Sequence, residues 1–98
     1  MNIIQSAVSG TLESSDAQVA IEPGDGTVRI DLSSSVLNQY GRQIKEAITD
    51  TLMQLGVTSA AVTVVDKGAL DCTLRARVSC AAYRAAAVSY TRHTCARH

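Results

Sequence analysis

From Gln18 onward apolar and polar residues alternate. Val19 and Ile21 fall on one side, with Gln18, Ala20 and Glu22 on the other. Pro23-Gly24-Asp25-Gly26 breaks the run, after which Val28, Ile30 and Leu32 alternate with Thr27, Arg29, Asp31 and Ser33. Successive strand side chains point to opposite faces, so a period of two predicts half-buried strands. Two such runs joined by a Pro/Gly/Asp turn predict a β-hairpin with one buried face.

The period then changes. Ser33-Ser34-Ser35 offers three N-cap candidates, residues whose side-chain oxygens accept from the first free amides of a helix. Leu37, Tyr40, Ile44, Ile48, Leu52 and Leu55 follow at spacings of three and four, with Ala47 and Thr51 beside them. Asn38, Arg42, Lys45, Glu46 and Asp50 fall largely opposite. This predicts an amphipathic helix of about 20 residues, ~30 Å long, closed by Gly56 in a left-handed cap. Val57 to Val65 is apolar on both alternating faces, as an inner strand is. From Ala69 a second helical stripe runs through Leu70, Leu74, Val78, Ala81 or Ala82, and Ala85, with Arg75, Arg77 and Arg84 on its flanks. Met1 to Val8 has no sustained period and reads as a lead-in packed on the domain edge, while Val88 to His98 reads as a frayed tail. The order strand-strand-helix-strand-helix predicts an α+β, two-layer sandwich: a small sheet with both helices on one face.

Length bounds this to one domain, since 98 residues suffice for a single two-layer core. We place that domain at 1–87, followed by a basic, flexible tail at 88–98. The core is aliphatic: Phe and Trp are absent, and Tyr40, Tyr83 and Tyr90 are the only aromatics. So few aromatics argue against stacking on bases, and no nucleic-acid partner is expected. Charge is zero overall but uneven. Through Asp71, nine acids oppose Arg29, Arg42, Lys45 and Lys67, giving −5; from Cys72, five arginines without an acid give +5. Either the two parts neutralise each other in the fold, or the basic C-terminal part docks an acidic partner. No apolar run approaches a membrane span, and no basic N-terminal region precedes an apolar stretch. The expectation is a soluble, cytoplasmic chain without a membrane partner. Cys72, Cys80 and Cys95 are odd in number and lack a framework spacing, so they read as reduced thiols.

Little in the chain resembles catalytic machinery. The only histidines, His93 and His98, lie in the tail, where the rigid placement a Ser-His-Asp triad requires is missing. Gly24 and Gly26 lack the Lys-Ser/Thr and following helix of a phosphate loop. Cys80, His93, Cys95 and His98 are ligand-type residues without the compact paired spacing of a structural zinc site, so no metal is expected. Asp66-Lys67-Gly68-Ala69-Leu70-Asp71-Cys72 is a strand-to-helix turn with Asp66 or Asp71 near a helix start, or a contact for whatever the N-terminal loop carries. That loop, Gly10-Thr11-Leu12-Glu13-Ser14-Ser15-Asp16, is a polar turn with two hydroxyls between two carboxylates. On the residues alone, Ser14 and Ser15 are exposed loop residues in a small α+β domain.

Two separated segments say more. Ala7-Val8-Ser9-Gly10-Thr11-Leu12-Glu13-Ser14-Ser15-Asp16 and Val65-Asp66-Lys67-Gly68-Ala69-Leu70-Asp71-Cys72-Thr73-Leu74-Arg75-Ala76-Arg77, with Ile30-Asp31-Leu32 and Ser34-Ser35-Val36 between them, resemble the acyl carrier protein (γ subunit) of citrate lyase over residues 1 to 85. The resemblance implies a non-catalytic carrier subunit. In that family the serine matching Ser14 carries 2'-(5''-phosphoribosyl)-3'-dephospho-CoA through a phosphodiester, with Ser15 as the neighbouring alternative. The arm's thiol holds acetyl and citryl groups while citrate is cleaved to acetate and oxaloacetate. It also implies α and β subunits as partners, for acetyl/citrate exchange and citryl cleavage, and a prosthetic-group transferase that makes the chain a phosphoprotein. The alternatives are the acyl carrier of a malonate decarboxylase, or a non-catalytic ligand-binding or assembly module of the same topology. The chain lacks the Asp-Ser-Leu helix start of ordinary phosphopantetheine carriers, and its tail after Ala85 departs from the family ending.

Overall fold

The structure is a computed structural model that describes residues 2–34 and 37–86, with the side chains of 37–40 left aside. Its elements are β1 (Ala7–Gly10), β2 (Ala17–Pro23), β3 (Val28–Ser34), α1 (Leu37–Gln54), β4 (Ala60–Asp66) and α2 (Asp71–Ala86). The expected order of two strands, helix, strand and helix is present, preceded by the short edge strand β1. The four strands form one sheet in the order β1-β2-β4-β3, with α1 and α2 packed against each other and on the sheet. The predicted α+β two-layer architecture therefore holds. No described helix is long and apolar enough to cross a membrane.

Pairing within the sheet differs from the expected hairpin. β2 and β3 do not pair; β4 lies between them, antiparallel to β2 and parallel to β3. Alternation fixes which face of a strand is buried but names no partner. The strand apolar on both faces takes the inner place, which is why β4 separates two strands that are consecutive in the chain. The linker between β2 and β3 crosses the start of β4, where Ala60 N donates to Thr27 O at 3.1 Å and Gly26 N donates to Ser59 Oγ at 2.9 Å. α1 is then the crossover connecting the parallel strands.

Val19, Ile21, Val62 and Val64 on the sheet meet Ile48 and Leu52 of α1 and Leu74, Val78, Ala81, Ala82 and Ala85 of α2. Three of those five α2 residues are alanine, and small side chains let its backbone approach the sheet closely. α1 buries the predicted Ala47, Ile48, Thr51 and Leu52, and Gly56 follows it with φ 73°. Two side-chain assignments change. Ser33 and Ser34 belong to β3 rather than to a helix cap, and Ser34 Oγ donates to Asp66 Oδ2 at 2.8 Å; Ser35 lies outside the described residues. Leu70 is 70% exposed, because α2 starts one residue later and the core stripe begins at Leu74. The N-terminal lead-in packs as expected: Ile3 is buried, and the amides of Ile4 and Gln5 both donate to Ala85 O at 3.0 Å. The division at 87/88 and the tail's character lie outside the described residues.

Both cysteines described are free, Cys72 exposed and Cys80 buried. The five arginines from Cys72 onward partly answer the charge question: Arg75 pairs with Asp50 and Asp71, and Arg77 with Asp16. Two of the three arginines of α2 are thus paired with acids inside the fold, while Arg84 donates to Val8 O at 2.8 Å.

This packing makes a prediction that apolar character alone does not. Ile48→Ala should lower stability by about 2–5 kcal/mol through a core cavity. Leu70→Ala should stay within about 0.5 kcal/mol as an exposed change. Urea unfolding of the two variants measures both; equal losses would refute the placement of Leu70.

Candidate functional site

The register brings both sequence motifs to one end of the sheet. Ala17 at the start of β2 lies opposite Asp66 at the end of β4, which in turn lies opposite Ser34 at the end of β3. The Thr11–Asp16 turn and the Lys67-Gly68 turn are therefore neighbours. Their backbones are joined twice: Ser15 N donates to Lys67 O, and Lys67 N donates to Asp16 O, both at 2.8 Å. In effect the β2–β4 ladder continues past the strands.

Asp16 fixes the turn. Its Oδ1 accepts from Ala17 N at 2.7 Å and from Arg77 Nε at 3.0 Å, and its Oδ2 accepts from Thr11 Oγ1 at 2.7 Å and Arg77 Nη2 at 2.9 Å. Thr11 Oγ1 accepts in turn from Glu13 N at 3.2 Å. The arginine is two-pronged on the carboxylate, the geometry in which its planar fork binds most strongly. The pair is largely withdrawn from solvent, with side-chain exposures of 12% for Arg77 and 15% for Asp16. Burial by itself would raise the Asp16 pKa. The hydrogen bonds from Arg77, Thr11 and the Ala17 amide, with the arginine's charge, outweigh it and hold the pKa at about 2.

Gly10 makes this closure sterically available. It has φ 88°, and a Cβ there would overlap the Ala17 carbonyl and stand 3.0 Å from Arg77 Cδ. Any side chain would meet both the returning strand and the arginine crossing toward Asp16.

The result is a turn held from several sides with its tip outside. Ser14 and Ser15 are both exposed, and among the described residues the Ser14 hydroxyl has no hydrogen-bond partner. Ser15 has φ 63°, a left-handed conformation costing a non-glycine residue roughly 1–2 kcal/mol, held by its amide bond to Lys67. Asp66, 2% exposed, is structural: it accepts from Ser34 and from Ala69 N at 3.0 Å, tying β3, β4 and the approach to α2 together. The strand-to-helix turn thus has its ordinary structural role, and through Lys67 it also contacts the Ser14 loop.

Among the described residues there is no group of three or more His, Cys, Asp or Glu arranged to hold a metal. Cys80 is buried in α2, and His93, Cys95 and His98 lie outside the described residues. A hollow of about 760 Å³ lies beside Arg42, Lys45, Asp50 and Met53 of α1 and Arg75 of α2. It carries charges of both signs and none of its lining residues belongs to the Ser14 turn.

Comparison with known proteins decides the family. Residues 4–85 match the acyl carrier family model described as "Malonate decarboxylase delta subunit (MdcD)". The citrate lyase acyl carrier protein of Streptococcus uberis is 51% identical over 86 residues, covering 88% of this chain and 85% of that protein. The one from Lactiplantibacillus plantarum is 53% identical over 85 residues, covering 87% and 88%. The chain belongs to the citrate lyase acyl carrier protein family. Members of this family are named as carriers and not as catalysts. A solved Pseudomonas malonate decarboxylase hetero-tetramer contains a chain of the same fold, with TM-score 0.61, 20% identity, and coverage of 86% of this chain and 87% of that one. At that identity the likeness concerns the fold alone.

Arg77 is the residue that sequence reasoning passed over. It lies within the second family segment, but nothing in the pattern pairs it with Asp16, 61 residues earlier. The available signal was a charge imbalance: an acid ending one segment and an arginine ending the other. Only the sheet register makes them meet.

The low Asp16 pKa fixes the direction of a pH effect. A carboxyl at about 2 in the fold and 3.8 unfolded stabilises above the unfolded value and loses that contribution as pH falls toward 2. Allowing for screening at a part-exposed pair, Asp16→Asn should cost of order 1–2 kcal/mol at pH 7. The gap between variant and parent should close as pH falls from about 4 to about 2. Urea unfolding across that range measures it, and a gap independent of pH would exclude the ion pair as its source.

Proposed function

We propose that this chain is the acyl carrier subunit of citrate lyase and that Ser14 is its attachment residue, bearing 2'-(5''-phosphoribosyl)-3'-dephospho-CoA through a phosphodiester. One observation carries the reading: a hydroxyl without a partner among the described residues, exposed at the tip of a turn braced by Asp16, Arg77 and Lys67, in a chain about half identical to citrate lyase acyl carrier proteins. The turn fits such a group, because the hydroxyl is open to an approaching enzyme and nothing has to unfold to free it. When bound, the group supplies a thiol that holds the acyl cargo.

What the chain itself contributes is placement. Asp16 is the nearest carboxylate in sequence on the C-terminal side of the serine pair, but its four hydrogen bonds and a pKa of about 2 make it a very weak base. General-base activation of a serine needs a group poised near the working pH. The attachment chemistry is therefore left to a separate prosthetic-group transferase, and acyl exchange and citryl cleavage to the α and β subunits. Bracing the turn fixes the pivot of a long tether, and a tether of fixed origin raises the effective concentration of its cargo at both partner sites, into the millimolar range for short flexible links.

Ser15 is the alternative hydroxyl. Its amide is held to Lys67 and its backbone is left-handed, whereas Ser14 occupies the family's attachment position. The second functional reading is the carrier of a malonate decarboxylase, favoured by the family model's description; the relatives at 51–53% identity favour citrate lyase.

Intact mass after co-expression with the modifying enzymes should show one adduct of the dephospho-CoA-derived group. Ser14→Ala should lose it and fail to reconstitute citrate cleavage with α and β subunits, while Ser15→Ala keeps both. Full modification of Ser14→Ala would move the site to Ser15. A modified chain that supports malonate decarboxylation and not citrate cleavage would favour the second reading.

A further inference from the structure

A cavity of about 300 Å³ opens between the first half of α1 and the start of α2, with Gly68 of the turn that bonds the Ser14 loop in its lining. Ile44, Ala69 and Leu74 supply apolar walls, and Gln43, Asp66 and Asp71 supply polar atoms. Gly68 forms its rim and directly follows Lys67, whose carbonyl accepts from Ser15. The space above Gly68 is clear, since a Cβ there would meet nothing within 4 Å. Gly68 therefore leaves this side of the cavity open next to the residue that bonds Ser15.

The lining selects a chemical class. Among the described residues around the cavity there is no lysine or arginine, while two carboxylates and an amide face it. Phosphate groups are disfavoured there, and a neutral group rich in N–H and O–H donors is favoured. Asp66 spends two of its acceptor positions on Ser34 and Ala69, and a carboxylate has about four. Asp71 is held by Arg75 Nε at 2.8 Å through one oxygen. Both acids keep acceptor capacity. The volume lies at the lower end of small-molecule sites, about 300–1,000 Å³, so it can take one compact unit of a long arm and not the whole.

We propose that this cavity holds the adenine nucleoside of the arm, so that the nucleoside is docked on the carrier and only the pantetheine part swings. The inference rests on the reading of Ser14 as the attachment residue. Along that arm the neutral unit nearest the serine is the adenosine, one phosphoribosyl unit away. Its base matches the Ile44, Ala69 and Leu74 walls, and its free 3'-hydroxyl or exocyclic amine matches Asp66, Asp71 or Gln43. The pyrophosphate that follows carries charge of the same sign as the two aspartates, which directs it outward. Docking would shorten the mobile tether and move its pivot from Ser14 to the mouth of the cavity.

The unmodified protein, checked by intact mass, is titrated with adenosine, 3'-dephospho-CoA and pantetheine while the methyl NMR signals of Ile44, Ala69 and Leu74 are followed. Adenosine and 3'-dephospho-CoA should give saturable shifts at these three residues in the millimolar range, about −4 kcal/mol, and pantetheine should leave them in place. Gln43→Ala, an exposed change, should weaken nucleoside binding about fivefold for one lost hydrogen bond of ~1 kcal/mol. Ala69→Leu, which fills the cavity, should abolish the shifts. In protein whose Ser14 adduct is verified by mass, the same methyl signals should sit at their nucleoside-bound positions with nothing added. Unshifted signals there, or shifts caused by pantetheine and not by adenosine, would overturn the docking while leaving the Ser14 assignment intact. A missing adduct at Ser14 would overturn that assignment, and the free-nucleoside titration would still decide for or against the cavity.

Discussion

The two-pronged contact between Arg77 and Asp16 is the interaction on which the working end of the domain depends. It joins a turn near the N-terminus to the second helix, and the Asp16 carboxylate spends all its bonds inside the turn or on that arginine. A pair this far withdrawn from water is held by geometry as much as by charge, because removing either partner leaves the other desolvated and uncompensated. Gly10 belongs to the same unit, since only a residue without a Cβ lets the strand turn under the arginine. What would otherwise be a loose polar loop becomes a fixed platform, with its hydroxyl tip outside and its acid consumed.

That contact exists because of where β4 sits. Placing a doubly apolar strand at the centre pairs its end with the start of β2 and the end of β3. It brings Lys67 beside Ser15 and runs α2 back across β1 and β2, where Arg77 reaches Asp16. The Ser14 turn, its bracing arginine and the Lys67-Gly68 turn therefore lie together at one end of the sheet. The alanine-rich inner face of α2 lets the helix lie close to the strands.

Much of the fold is legible along the chain. Both helices, three strands and the buried positions of α1 follow from period and capping chemistry, and the arginine excess of α2 foretells that it will meet acids. β1 is less legible, because Ala7–Gly10 has too few strongly apolar residues to show a period and is a strand through pairing with β2. Ser34 reads as a helix cap and is instead a strand residue bonded to Asp66, since a serine's preference for a cap yields when a buried carboxylate lies across the sheet. Leu70 reads as core and is exposed, because it lies in the strand-to-helix turn and α2 begins only at Asp71.

The sequence by itself determined both helices, the three longer strands with the faces they bury, and the family to which its two separated segments point. These are short-range properties, set by side-chain spacing and backbone preference within a few residues. Only the tertiary structure decided that β4 separates β2 from β3, that Asp16 meets Arg77 across 61 positions, and that a cavity opens between α1 and the turn after β4. Strand order and ion pairing are choices among long-range partners that a periodic pattern leaves equivalent, and the packing of one common core selects between them.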